Sequence, residues 1–179
     1  MAAIGTVSHE LGHVAADYAV GGSAVLHYAS ATPVGIPDGD FYRGITVAGG
    51  PLQTVLTGSL GLLALWWLPR TEMPPKKWLA VLAAAFWSRE PFNMLAGFAF
   101  YARTGHSPTR GDEYRLATML DLNPWALQIP LGLLGIAACT LILFWIPKDW
   151  RLPLIVGGTA ANVFGFAMWM GVLGPALLP

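Results

Sequence analysis

In the segment Ser8-His9-Glu10-Leu11-Gly12-His13, two histidines stand four residues apart with a glutamate directly after the first. On a helix, positions i and i+4 share a face, so His9 and His13 can offer two imidazole nitrogens to one zinc ion at about 2.0–2.1 Å each. Glu10 is then left beside the metal, where it can take a proton from a water that the metal activates and pass it to a leaving amine. That is hydrolytic chemistry with Zn2+ as the cofactor. Leu11, Val14, Ala15, Ala16, Ala19 and Val20 make the surrounding helix apolar on most sides. Imidazoles and a carboxylate in such a helix need a partner, because unpaired polar groups are costly away from water.

A catalytic zinc keeps three protein ligands and one open position, so a third group must come from elsewhere in the chain. Asp112, which follows Gly111, competes with Glu113 and His106, all within the longest polar stretch, residues 103–123. Asp17 lies eight residues after His9 and four after His13. It is better placed to accept the other ring N–H of His13 than to bind the metal from a straight helix. Asp121, His27 and Asp38 read as solvated loop groups.

These residues sit in a chain that is 55% hydrophobic and 11% charged over 179 residues, with 8 Trp and a mean hydropathy of +0.54. That balance lies outside the range of soluble domains and predicts an integral, multi-pass membrane protein embedded in a lipid bilayer. Ten basic and ten acidic residues give a formal net charge of +0, and no basic run exceeds Lys76-Lys77, so no nucleic-acid partner is expected. The single cysteine, Cys139, lies in an apolar run and reads as a core or lipid-facing residue. No basic n-region precedes the histidine motif, so no cleavable signal peptide is expected.

Five helices are expected to span the membrane wholly or in part. The first covers about residues 3–20 and ends at Gly21-Gly22, a pair suited to a left-handed cap. Residues 24–28 and 42–47 are β-prone and flank the turn residues Pro33, Pro37, Asp38 and Gly39, which predicts a small hairpin or irregular sheet. Further spans are expected at about 50–68, 78–101, 125–146 and 152–173. The third of the five is interrupted by Ser88-Arg89-Glu90-Pro91, read either as a local Arg89/Glu90 ion pair at a proline kink or as groups bracing an internal polar site. Residues 112–122 suit a short helix. No repeat and no second domain is visible, so residues 1–179 form one membrane-embedded unit of the all-α polytopic class with a small β-like insert after the first helix.

This arrangement resembles the site-2 protease family of intramembrane zinc metalloproteases, the M50 peptidases, and in particular its small M50B-like members. The resemblance is carried by His9-Glu10-Leu11-Gly12-His13 in an apolar helix, a β-like segment, and Ala48-Gly49-Gly50-Pro51-Leu52 opening the next span, followed by a later acidic residue. It implies that the third ligand is an aspartate, best matched by Asp112 in Thr109-Arg110-Gly111-Asp112-Glu113. It also implies a substrate that is a transmembrane segment of another protein. The expectation is therefore a metalloprotease with His9, His13 and Asp112 as zinc ligands and Glu10 as the catalytic base. The alternative is a catalytically silent structural subunit among neighbouring membrane subunits; the intact Glu10 argues against it, since a scaffold has no need of a general base.

Overall fold

A computed structural model describes residues 2–109 and 111–179; Arg110 lies outside the described residues. Helix α1 (Ala2–Ala19) ends where the two glycines stand. Gly21 adopts a φ of +86° and the N–H of Gly22 returns to the carbonyl of Asp17 at 3.0 Å, closing the last turn with the left-handed geometry that glycine alone takes without strain.

A two-stranded antiparallel hairpin follows, β1 (Ser23–His27) and β2 (Ser30–Val34), in the register Ser23↔Val34 to His27↔Ser30. Strand β1 was expected here, but its partner is residues 30–34 and not 42–47. The β-prone residues Tyr42, Ile45, Thr46 and Val47 instead belong to a 28-residue helix, α2 (Asp40–Trp67). Gly39, with φ +128°, ends the loop, and Asp40 places a negative charge in the first turn, where the helix dipole favours it. Thr46 and Val47 are buried in this helix, and tertiary burial outweighs their weak β preference.

Helix α2 crosses α1 with almost no space between the backbones: a Cβ on Gly12 would fall onto the carbonyl oxygen of Gly49, and a Cβ on Gly49 onto that of Gly12. Reciprocal glycines at a crossing let two helices approach more closely than any side chain allows. The buried positions Thr46, Gly50, Thr54 and Gly58 recur every four residues along one face of α2. Leu52, Leu56, Leu60 and Leu63 lie exposed on another.

The expected span over 78–101 is broken. Helix α3 (Pro75–Ala84) gives way to a 3₁₀ turn, Ala85–Ser88, and then to α4 (Arg89–Thr104), with the break where the polar residues were noted. Arg89 and Glu90 form no ion pair among the described residues. Helix α5 (Asp112–Met119), α6 (Trp125–Trp145), α7 (Lys148–Met168), a wider turn over Trp169–Leu173 and a short α8 (Gly174–Leu177) complete the chain. The apolar core joins α2, α3 and α6 through Leu65, Ala80, Val81, Ala84, Ile142 and Ile146. Trp125 stacks on Phe98 at 4.9 Å and meets Tyr114 edge-on at 5.4 Å, tying α4, α5 and α6 together.

Three helical stretches, Asp40–Trp67, Trp125–Trp145 and Lys148–Leu177, are long and apolar enough to cross a membrane. At about 1.5 Å per residue each exceeds the roughly 30 Å of a bilayer core. α1 and the α3–α4 pair are not among them.

Candidate metal centre

Three side chains from α1 and α5 converge. His9 and His13 stand one turn apart on α1 with ring centroids 4.9 Å apart and planes nearly perpendicular. Asp112, the first residue of α5, reaches between them: its Oδ2 lies 2.9 Å from Nε2 of His9 and 3.3 Å from Nε2 of His13. One ligand atom from each of the three falls within 4.8 Å of the others. Tetrahedral ligands bonded at about 2.0–2.1 Å stand roughly 3.3 Å from one another, so the two separations to Asp112 are compatible with edges of a metal's coordination shell.

The far nitrogens decide how the rings are protonated. Nδ1 of His13 lies 2.7 Å from the carbonyl oxygen of Thr46, which can only accept, so Nδ1 carries the hydrogen. A neutral His13 then presents a bare Nε2 to the Asp112 carboxylate, and two acceptors at 3.3 Å need a cation or a proton between them. Nδ1 of His9 is 3.0 Å from Oγ1 of Thr54. Both imidazoles are thus held by groups on α2 that point Nε2 inward, as orienting partners do around metal sites. Gly50 lies directly beneath: a Cβ there would fall against Nε2 of both histidines.

Without a metal, a proton on either Nε2 would bond Oδ2, and against the upward push of burial these bonds let His13 and His9 hold the Asp112 carboxyl well below the usual carboxylate range. The charged carboxylate so favoured is the form that binds a metal. The Arg115 guanidinium, largely exposed, stands 4.0 Å from its other oxygen. His9 is fully buried, whereas the His13 and Asp112 side chains retain 13% and 18% of their exposure. Any open coordination position is therefore reached from the side of His13 and Asp112.

Glu10 is buried beside the cluster. It lies near enough to His13 and Asp112 to feel their charges. A cleft of about 670 Å³ flanks the centre, lined by Thr46, Arg43, Arg115 and Thr118 among others.

The other candidates lie elsewhere. Asp17 is buried, but it does not hold His13, whose Nδ1 is taken by Thr46; the expected orienting role falls to a backbone carbonyl of α2. His106 is exposed and bonded to the carbonyl of Thr104 at 2.6 Å. Glu113 is buried and faces Glu90. Sequence reasoning missed Thr46, which acts through its backbone carbonyl, as well as Thr54 and the space left by Gly50; only the four-residue spacing of Gly50 and Thr54 within the expected span was a usable signal.

No family model matches the chain, and neither a curated protein nor a solved structure is significantly similar to it.

Proposed function

We propose that the protein is an intramembrane zinc metalloprotease that hydrolyses peptide bonds in membrane-associated protein substrates. The observation that carries this reading is the position of His13 between two acceptors, the Thr46 carbonyl and the Asp112 carboxylate, with His9 offering its Nε2 to the same oxygen. Two imidazoles and one carboxylate form a three-ligand set of the kind catalytic zinc uses, with the fourth position left for the reaction.

Bound zinc would supply Lewis-acid polarisation and make water acidic enough to lose a proton near neutral pH. The protein's own residues do the rest. Glu10, one residue from His9 and buried beside the cluster, accepts the proton of the attacking water and returns it to the leaving nitrogen. Thr46 and Thr54 hold the rings in the ligating orientation. The three apolar helices support a polytopic arrangement in the bilayer, and the exposed faces of α2 and α7 are those of a lipid-contacting protein. Such surroundings point to a substrate whose cleaved segment itself lies in or at the membrane.

The test is zinc-dependent cleavage of a transmembrane peptide by the detergent-purified protein. Zinc binding with cleavage that is lost in Glu10→Gln supports the proposal. Purified protein that holds no zinc at saturating metal contradicts it and leaves the structural-subunit reading.

A further inference from the structure

Basic and aromatic residues that the sequence scatters over two short connections come together at the end of the helices away from the metal centre. Trp66 on α2 meets Trp145 on α6 at 6.1 Å between ring centroids, and Trp78 on α3 meets Trp150 on α7 edge-on at 5.2 Å. Leu68, Met73 and Leu154 pack against the one core of Leu65, Val81, Ile142 and Ile146, so the α2–α3 and α6–α7 connections share this end. At about 1.5 Å per residue, Trp66 lies roughly 18 Å along α2 from Thr54. The two connections, residues 69–77 and 147–151, carry five basic residues against two acidic ones, Glu72 and Asp149. The stretches 38–43 and 103–121, which meet at the cleft beside the metal centre, carry four basic against five acidic.

Lys77 fixes this surface from within. Its side chain is fully buried and Nζ donates to the carbonyl oxygens of Pro69 and Glu72, the second at 3.1 Å, so the loop closes on an internal ammonium group. The other cations turn outward: Arg70, Lys76 and Lys148 are exposed, and Arg151 is half-buried with its guanidinium 5.7 Å from the centre of the Phe144 ring. Trp66 and Trp67 are 68% and 80% exposed at the last turn of an apolar helix. Exposed indoles beside cations at the ends of apolar helices belong to the membrane–water boundary, where the ring sits at headgroup depth. The stretches Asp40–Trp67 and Trp125–Trp145 end here and Lys148–Leu177 begins here, which makes a lipid the occupant. Arginine and lysine in that layer donate to phosphate oxygens and favour an anionic headgroup. We propose that Arg70, Lys76, Lys148 and Arg151, framed by the two tryptophan pairs, form a site for the headgroup of an anionic phospholipid. The site rests on the membrane-spanning reading and is independent of the protease reading.

The experiment titrates phosphatidylglycerol, and separately phosphatidylcholine with the same acyl chains, into the detergent-purified full chain and counts bound lipid by native mass spectrometry. Soluble glycerol phosphate serves as competitor. Wild type should bind phosphatidylglycerol at least about tenfold more tightly than phosphatidylcholine, with a preference that shrinks as salt rises. Lys148→Gln should weaken phosphatidylglycerol binding about fivefold, the share of one cation near an anionic headgroup, and the triple variant Arg70→Gln, Lys76→Gln, Lys148→Gln should lose the preference. Arg103→Gln, exposed in the last turn of α4, should match wild type. Equal affinity of wild type for the two lipids, an undiminished preference in the folded triple variant, or an equal loss in Arg103→Gln would each overturn the proposal. Displacement of phosphatidylglycerol by glycerol phosphate would overturn it too, since the site would then take a free phosphate. Should the triple variant fail to fold, the wild-type salt series decides: a preference that falls with salt supports the site, and one that salt leaves unchanged overturns it.

Discussion

His13 donates its Nδ1 hydrogen to the carbonyl oxygen of Thr46 at 2.7 Å, and that single bond determines which nitrogen is left to face Asp112. Because a backbone carbonyl cannot be removed by mutating its side chain, the ring orientation depends on where α2 runs, and hence on the glycine crossing between α1 and α2. Shifting that crossing would turn His13 away from Asp112.

The crossing itself gives the first prediction. Gly12→Ala places a methyl group onto the Gly49 carbonyl, and overpacking of this kind costs about 1–3 kcal/mol. The variant should unfold at a lower temperature in detergent and hold less zinc. Gly157→Ala, where nothing lies within 4 Å, should match wild type in both measurements.

Gly50→Ala separates local from global effects. Its methyl group would sit against Nε2 of both His9 and His13, so zinc affinity should fall at least about tenfold, read by competition with a chromogenic chelator. Affinity equal to wild type would mean that the nitrogens facing Gly50 are not the ligating ones.

Thr54→Val keeps the shape of the side chain and removes the partner of His9 Nδ1. Loss of such an orienting bond lowers metal affinity by about 10–100-fold. Asp17→Ala, by contrast, should leave zinc affinity unchanged, since Thr46 holds His13.

The pairing of His9 and His13 was readable from helical periodicity alone. Asp112 was one of several candidates within residues 103–123, set apart by the preceding glycine and by the resemblance, and the fold brings it and not Glu113 or His106 to the histidines. The Gly21-Gly22 stop and the break at Ser88-Arg89-Glu90-Pro91 were equally local signals. Residues 42–47 misled because side-chain preference favours a strand there, while the burial of Thr46 and Val47 in the folded chain favours a helix. The orienting role of Thr46 could not be read from its type, because it acts through its backbone. Asp17 had the right spacing to serve His13, but α2 brings a carbonyl to the same nitrogen.

Glu10→Gln tests the proton-transfer role. The amide keeps the size of the side chain and cannot act as a base, so zinc content should remain at the wild-type level while peptide cleavage falls by about 10²–10⁴-fold. Unchanged turnover would remove Glu10 from that role.

Zinc K-edge absorption of the purified wild-type protein tests the central claim most directly. The account predicts about one zinc per chain, with two imidazole nitrogens at about 2.0–2.1 Å and a carboxylate oxygen at about 2.0–2.2 Å. In Asp112→Ala the zinc should be lost, or retained with the carboxylate contribution gone. A wild-type protein that binds no zinc, or a spectrum that Asp112→Ala leaves unchanged, would contradict it.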